Sequence, residues 1–286
     1  MVSPSAVTGR ILHISDLHVG RSTPSEPLAA LRELIPGLTP EILVVTGDLA
    51  HRGRRAELER ARELLESLGL PFLAVPGNHD IPYVLPTRFT RTREEWERVF
   101  ATTEPVYTSD RLAVVGLNSV RPWRHQGGAL ESSQLDRLVP KLEGARAGAL
   151  RAAALHHHLA APPWRAAHKR PVRRRDAVLQ RLASAGVELV LSGHVHQSSV
   201  AERREFEVVE HDQRSSIVLA TAAGFGRPRP QRRGEAVGFN VYASDPETIS
   251  VATWSWSGRA FTEDGRRTFQ RREPERPMCP PRRRDL

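Results

Sequence analysis

The stretch VPGNHD at positions 75–80, which continues the apolar run FLA at 72–74, decides how the rest of the chain is interpreted. The run is typical of a short buried strand, and the proline and glycine that follow interrupt the strand pattern. Asn78, His79 and Asp80 then bring three side chains that can bind a metal ion or transfer a proton. A polar turn after a strand is common, so this stretch gains its meaning from the rest of the sequence.

Four other apolar runs end in residues of the same kind. The runs lie at 11–15, 42–45, 152–155 and 187–191. The polar residues that follow them are Asp16 and His18, then Asp48, then His156, His157 and His158, and finally His194 and His196. Five strands that each end in Asp, Asn or His predict that these strand ends form one site.

Length and composition indicate a globular protein with one large domain, or one domain and a small appendage. The chain has 286 residues, which is near the upper limit for a single hydrophobic core. Apolar residues make up 39% and charged residues 26%, a balance compatible with a folded domain. The net charge of +9 suits anionic partners such as nucleotides, nucleic acid or membrane phosphates, and equally suits an arginine-rich genome.

Cysteine content and apolar patterns exclude several classes of protein. The single Cys279 excludes an intramolecular disulfide and a cysteine zinc finger. No apolar stretch approaches the roughly 20 residues that a membrane span requires, and the N-terminus lacks the basic and then apolar pattern of a signal peptide. We therefore expect a cytoplasmic protein without a membrane span, and no pattern indicates its oligomeric state.

Strand and helix patterns alternate up to about residue 196. Apolar runs predict strands at 10–15, 41–46, 72–75, 112–117, 150–155 and 187–191. Helical spacing predicts helices at Glu26–Leu34, Arg54–Leu68, Glu94–Phe100, Ser133–Leu142 and Asp176–Ala185. This alternation indicates βαβ units early in the chain.

After His196 the pattern changes. Short β-like runs occur at 206–209, 216–220, 238–243 and 249–255, without clear helices between them. We expect mainly antiparallel strands that complete a second sheet. Residues 1–9 are expected to form a leader, residues 10–267 the domain, and residues 268–286, rich in Arg and Pro, a tail without a core of its own.

The polar residues at the strand ends have the chemistry of a metal site. The candidates are Asp16, His18, Asp48, Asn78, His79, His156, His194 and His196. Oxygen and imidazole donors without thiolate suit Mn²⁺, Fe or Zn²⁺. One ion would not use so many groups, so we expect two ions, which can clamp the attacking and leaving oxygens in phosphoryl hydrolysis. Asp48 is the expected bridging carboxylate, because Gly47 lets the backbone approach the metals closely.

The spacing of two residue pairs supports a shared site. Asp16 and His18 are two residues apart, as are His194 and His196. Side chains two apart point the same way where a strand continues, so each pair is predicted to present two donors to one small volume.

In order along the chain, these motifs resemble the signature of calcineurin-like metallophosphoesterases. The motifs are Asp16-x-His18, Gly47-Asp48, Gly77-Asn78-His79-Asp80, His156-His157 and Gly193-His194-x-His196. The stretch RILHISDLH at 10–18 is most similar to the bacterial cyclic-nucleotide phosphodiesterase branch. The resemblance implies an α/β (α+β) fold of two mixed β-sheets packed face to face as a sandwich, with flanking helices and a dinuclear site at the strand ends.

The resemblance also implies roles for individual residues. It implies that one metal ion is held by Asp16, His18, Asp48 and His196, and the other by Asp48, Asn78, His156 and His194. His157 is the alternative to His156. His79 is implied as the unliganded acid, and Asp80 either orients His79 or caps the turn. His51 stands where related enzymes often carry an acidic residue.

The sequence therefore predicts a metal-dependent phosphodiesterase in which a hydroxide bridging two ions, most readily Mn²⁺, attacks phosphorus. A small substrate such as a cyclic nucleotide is favoured from the resemblance. A DNA or RNA nuclease is the alternative, favoured by the net charge of +9. An inactive metal-binding scaffold is the alternative from another class of protein, but a scaffold would have no need of the acid His79.

Overall fold

The computed structural model describes residues 9–20, 24–124, 126–160, 169–202, 217–226 and 235–271. The run expected at 206–209, most of the leader and most of the tail lie outside the described residues.

Two six-stranded sheets carry the described part of the chain. The first sheet contains β1 (Gly9–Ile14), β2 (Ile42–Val45), β3 (Phe72–Ala74), β10 (Gly238–Ser244), β11 (Thr248–Trp256) and β12 (Phe261–Gln270) in the order β12-β11-β10-β1-β2-β3. The second contains β4 (Val106–Thr108), β5 (Leu112–Gly116), β6 (Leu150–Ala154), β7 (Leu189–Ser192), β8 (Ser199–Glu202) and β9 (Val218–Thr221) in the order β4-β5-β6-β7-β9-β8. Each sheet has parallel central strands with antiparallel strands beside them, so the expected pair of mixed sheets is confirmed.

Seven helices are assigned in the described residues. They are α1 (Ser25–Leu38), α2 (Arg55–Glu66), α3 (Thr87–Thr90), α4 (Glu94–Phe100), α5 (Ser132–Asp136), α6 (Leu138–Leu142) and α7 (Arg175–Ser184). Within the described ranges, no helix is long and apolar enough to cross a membrane.

The core is layered, because successive strand residues face opposite sides of a sheet. Ile11 in β1 packs with Val114 and Leu191 of the second sheet. Its neighbour Leu12 packs on the other side, in a cluster that contains Leu58 of α2. The second sheet repeats this arrangement with α6 and α7 on its outer side. Strands buried on both faces explain why the sequence shows continuous apolar runs instead of alternation.

The C-terminal strands differ from expectation. We expected them to complete the second sheet with antiparallel pairing, but β10, β11 and β12 extend the first sheet. β10 pairs antiparallel along β1, with Leu12 opposite Val241, and so covers an edge of β1 that would otherwise be open. In the second sheet β9 lies parallel to β7. The antiparallel pairing of β10, β11 and β12 is confirmed, but the sheet that they join was predicted wrongly, because sequence periodicity carries no information on which distant strand becomes a neighbour.

The outermost strands extend slightly beyond the expected limits of the domain. β1 already includes Gly9, which pairs with Ser244. β12 continues to Gln270, past the expected end of the domain at 267. β12 is an edge strand, which explains its many charged residues, because most of its side chains lie in solvent. Phe261 and Phe269 are buried.

Arg271 joins the end of β12 to the second sheet. Its guanidinium donates to both carboxylate oxygens of Glu188, at 3.0 and 2.8 Å, and to the carbonyls of Gly148, Ala149 and Asp245. The side chains of Arg271 and Glu188 are 7% and 9% exposed. A buried ion pair with these additional hydrogen bonds costs much more to break than a surface pair.

Arg271→Ala is therefore expected to lower the free energy of unfolding by about 3 kcal/mol, because it leaves the Glu188 carboxylate buried without its partner. Urea unfolding measures this change. Arg266→Ala is the control, because the exposed Arg266 pairs with Glu263 at the surface, and its loss should cost less than about 1 kcal/mol. Equal effects of the two variants would show that Arg271 is not a structural link.

Candidate active site

The predicted site residues lie together at the carboxyl ends of β1, β2, β3, β6 and β7. Seven of the eight candidates are buried, namely Asp16, His18, Asp48, Asn78, His156, His194 and His196. His79 is half-buried. The five strand ends predicted from the sequence therefore do form one cluster, and it lies where the two sheets meet.

The backbone brings these side chains together in a way that the sequence did not predict. β1 ends at Ile14, so Asp16 and His18 are not in a continuing strand. Asp16, His18, Asp48, His194 and His196 instead have φ of 57°, 51°, 52°, 70° and 57°. Left-handed backbone is uncommon outside glycine, although Asp and His tolerate it better than most residues. Side-chain alternation was therefore the wrong mechanism, and left-handed turns produce the convergence.

Two glycines permit the close packing of these turns. Gly47 has a φ of +81°, and a Cβ there would lie 2.6 Å from the backbone nitrogen of Gly77. At Gly193 a Cβ would lie 1.8 Å from Ser15 Oγ. Any side chain at these positions would push apart the turns that carry Asp48, Asp16 and His194.

Each buried carboxylate has one oxygen fixed and the other directed at histidines. Asp16 Oδ2 accepts from Ser15 Oγ at 2.6 Å and from the His194 N–H at 3.0 Å. Asp16 Oδ1 lies 3.1 Å from His196 Nε2. Asp48 Oδ1 accepts from the His79 N–H at 2.8 Å. Asp48 Oδ2 then lies 3.8 Å from His18 Nε2 and 3.4 Å from His156 Nε2.

The remaining donors form two groups around Asp48. On one side His18 Nε2 and His196 Nε2 face each other at 3.3 Å. On the other side His156 Nε2 lies 3.1 Å from both Asn78 Oδ1 and His194 Nδ1. His156 Nδ1 donates to the Thr46 carbonyl at 2.7 Å, which directs Nε2 into the cluster.

The geometry distinguishes between two adjacent histidines. His156 contacts Asp48, Asn78 and His194, whereas the ring nitrogen Nδ1 of His157 lies 2.9 Å from Ser119 Oγ. The contacts therefore favour His156 over its alternative, although His157 still lies in the same donor cluster with His194.

Charge in the site is unbalanced without a cation. Among the described residues, Asp16 and Asp48 have only histidines as ion-pair partners. Burial lowers the pKa of His18 to about 3, against the opposing effect of Asp48. At His156 burial opposes protonation, but the Asp48 carboxylate beside it raises the pKa to about 9. The imidazolium of His156 thus supplies positive charge that a metal ion would replace, with release of the proton.

These residues fit metal ions by the chemistry of their donors. Ligand atoms of Asp16, His18 and His196 lie within 4.8 Å of one another, as do those of Asp16, Asp48 and His156. Asp16 Oδ1 is buried and has no hydrogen-bond partner among the described residues. Buried charges and polar atoms are normally paired, so this cluster of carboxylates and imidazoles is able to hold a cation.

The contacts of Asp80 are not those expected of a residue that orients the His79 ring. Its two oxygens accept the backbone N–H groups of Ala50 and Gly77, both at 2.7 Å. The Nδ1 of His79 lies 2.9 Å from the His51 carbonyl and 3.0 Å from Tyr83 Oη. These contacts support the alternative role of Asp80 as a turn cap.

Sequence reasoning missed several residues that hold the site. Ser15 fixes Asp16, and Tyr83 and the His51 carbonyl contact the His79 ring. Lys169 donates from Nζ to the His194 carbonyl. Ser15 had a detectable signal, because it directly precedes a candidate ligand at the end of a strand. Tyr83 and Lys169 had none, because their proximity depends on the folded paths of loops.

Comparison with known proteins identifies the family. Residues 9–198 match the model of the calcineurin-like phosphoesterase family. The chain belongs to the calcineurin-like phosphoesterases. The family predicted from the motifs is therefore confirmed, and with it the class of metal-dependent phosphoesterases.

Individual relatives and solved structures agree with this family. The chain is 32% identical over 219 residues to a probable cyclic nucleotide phosphodiesterase of Synechococcus sp., which covers 69% of this chain and 77% of that protein. It is 30% identical over 213 residues to a cAMP/cGMP dual specificity phosphodiesterase of Mycobacterium tuberculosis, covering 67% and 63%. A purple acid phosphatase from yellow lupin has a similar fold, with a TM-score of 0.67 and 11% identity over 94% of this chain and 55% of that chain.

Asp80→Asn should lower the free energy of unfolding of this phosphoesterase by about 1–3 kcal/mol, because an amide offers one acceptor to two buried N–H groups. Thermal and urea unfolding would measure the loss. Asp245→Asn is a matched control, since Asp245 accepts the N–H groups of Glu247 and Thr248 in a turn near solvent. If Asp80→Asn kept full stability and slowed only esters with poor leaving groups, Asp80 would act through His79 instead.

Proposed function

We propose that the chain is a cytoplasmic phosphodiesterase that uses two metal ions to hydrolyse a small phosphodiester, with a cyclic nucleotide favoured. The observation that carries the proposal is the position of Asp48. Its Oδ2 lies between the two donor groups, 3.8 Å from His18 and 3.4 Å from His156. A carboxylate placed between two sets of oxygen and nitrogen donors is what a pair of cations requires of a bridging ligand.

The donor atoms divide into two ligand sets that share Asp48. Asp16, His18 and His196 would hold one ion together with Asp48, and Asn78, His156 and His194 would hold the other. Oxygen and nitrogen donors without sulfur suit Mn²⁺, which we favour, and also Fe or Zn²⁺. When bound, such ions supply Lewis acidity that activates water and offsets charge on the phosphate.

The protein's own residues would handle the proton and the geometry. His79 Nδ1 is held by the His51 carbonyl, and its ring lies edge-on to His18 with 4.8 Å between centroids. His79 Nε2 lies 3.4 Å from Tyr83 Oη, and we assign this nitrogen as the atom that would donate a proton to the leaving oxygen. The His79 N–H also fixes Asp48, so one residue positions the shared carboxylate and serves the leaving group.

The preference for a cyclic nucleotide is supported by the two long relatives, both named as cyclic nucleotide phosphodiesterases. The second candidate is a nuclease, which the net charge of +9 favours. An inactive scaffold is disfavoured because the complete donor set occurs together with His79.

The deciding assay measures whether the Mn²⁺-loaded protein hydrolyses cyclic nucleotides, bis(p-nitrophenyl) phosphate and single-stranded DNA. Cleavage of DNA alone would reject the cyclic-nucleotide preference, and no hydrolysis at all would reject the enzyme.

Asp48→Asn is expected to reduce activity more than Asp16→Asn or His196→Ala, because the lost charge weakens both ligand sets. Metal content and turnover of the three variants would be measured side by side. A fully metallated and active Asp48→Asn protein would contradict the bridging role.

His79→Ala should keep the bound metal but lose about 10²–10⁴-fold in rate on esters whose leaving group needs a proton. The loss should be smaller for p-nitrophenyl esters, since p-nitrophenolate leaves without protonation. Rates on both ester types, with metal content as the control, check this result. An equal loss on both types would assign His79 to stabilising phosphate charge.

A further inference from the structure

A groove with a volume of about 810 Å³ opens beside the candidate active site. One wall is the segment 51–56, which follows β2, and the other includes residues 82–84, which follow β3. β2 and β3 are the strands that deliver Asp48 and Asn78. The groove and the site are therefore built on the same two strand ends.

The groove is directly continuous with the proposed proton donor. His51 and Tyr83 line the groove, and both contact His79. The His51 carbonyl lies 2.9 Å from His79 Nδ1, and Tyr83 Oη lies 3.0 Å from the same atom. A phosphodiester whose leaving oxygen is near His79 would extend its departing portion toward this groove.

One wall of the groove carries more positive than negative charge, because Arg52, Arg54 and Arg55 line it together with Glu59. Arg52 and Arg54 are exposed groove residues, and neither has a carboxylate partner among the described residues. Arg55 differs, because it donates to both oxygens of Glu95 at 2.6 and 3.3 Å. Farther along α2, Arg60 and Arg62 likewise pair with Glu63 and Glu66. Arg52 and Arg54, which have no carboxylate partner among the described residues, thus both line the groove.

The other wall combines apolar and aromatic side chains with the polar Thr87, Arg91 and Glu95. Pro82, Tyr83 and Val84 line it, and Tyr83 and Val84 are 37% and 71% exposed. Aromatic side chains beside a basic groove are the combination that binds a nucleoside together with its phosphate. A cyclic mononucleotide carries a single phosphate, which the metal site would take, and would leave the arginines without a ligand.

We propose that this groove is a subsite for a second phosphate, so that among linear nucleotide phosphodiesters the enzyme prefers those that carry an additional phosphate. This inference rests on the proposed phosphodiesterase function. Guanidinium groups recognise phosphate oxygens through charge-assisted hydrogen bonds, and Arg52 and Arg54 are the residues assigned to this contact. The reaction is addition of water across one P–O bond, which leaves a phosphate monoester on one product and a hydroxyl on the other.

The test compares the dinucleoside monophosphate ApA with its 5′-phosphorylated form pApA, using the Mn²⁺-loaded full chain. We expect kcat/KM to be about tenfold higher for pApA, the effect of one net charge-assisted contact in an open groove. The double variant Arg52→Gln/Arg54→Gln should reduce this ratio to within about twofold. Arg60→Gln is the matched control, because Arg60 lies on α2 outside the groove, and it should keep the wild-type ratio.

The outcomes separate this inference from the proposed function. Equal kcat/KM values for ApA and pApA, or a preference for pApA that survives the double variant, would overturn the subsite. Hydrolysis of bis(p-nitrophenyl) phosphate without hydrolysis of either dinucleotide would also overturn it while leaving the phosphodiesterase intact. Failure on all three substrates and on cyclic nucleotides would reject the phosphodiesterase itself. Unfolding temperatures of both variants confirm that any change in the ratio comes from a folded enzyme.

Discussion

The structure depends on burying two carboxylates whose ion-pair partners among the described residues are imidazoles. Asp16 and Asp48 are each at most 1% exposed, and burial of an unpaired charge is one of the largest penalties in a protein interior. One oxygen of each carboxylate is stabilised by N–H or O–H donors from the backbone and Ser15. The other oxygen keeps negative charge directed into the site, and that charge is what attracts and holds cations.

The fold meets this constraint by placing strand ends from two sheets at one point. Parallel β1, β2 and β3 bring Asp16, Asp48 and Asn78 from one sheet, and parallel β6 and β7 bring His156 and His194 from the other. The left-handed backbone at five site residues has a cost in free energy, of order 1 kcal/mol or more at each; they are Asp16, His18, Asp48, His194 and His196. Packing between the sheets and contacts such as that of Arg271 with Glu188 offset this cost, so the stability of the core maintains the geometry of the site.

Local patterns predicted the chemistry of the site better than its construction. Apolar runs that end in Asp, Asn or His located the donors, because burial and ligand type are properties of short segments. The mechanism by which Asp16 and His18 converge was predicted wrongly, since φ at a residue after a strand depends on its tertiary neighbours. The prediction of which sheet β10, β11 and β12 join was also wrong, because strand pairing likewise depends on tertiary neighbours. The donors to Asp80 come from a different loop as well as its own, and no spacing in the sequence reports that contact.

The loops after β2 and β3 carry both the residues proposed for catalysis and those proposed to select the substrate. After β2 the chain first supplies the buried Asp48. His51 follows three residues later, and the exposed Arg52 and Arg54 come after it. After β3 it supplies Asn78 and His79 and then Tyr83. The buried residues are restrained by carboxylate and backbone contacts, and their substitution would damage the metal site. The exposed ones are restrained much less, because a loop surface tolerates change that a core does not. Substrate preference could therefore change at exposed positions of these loops without loss of the buried donors.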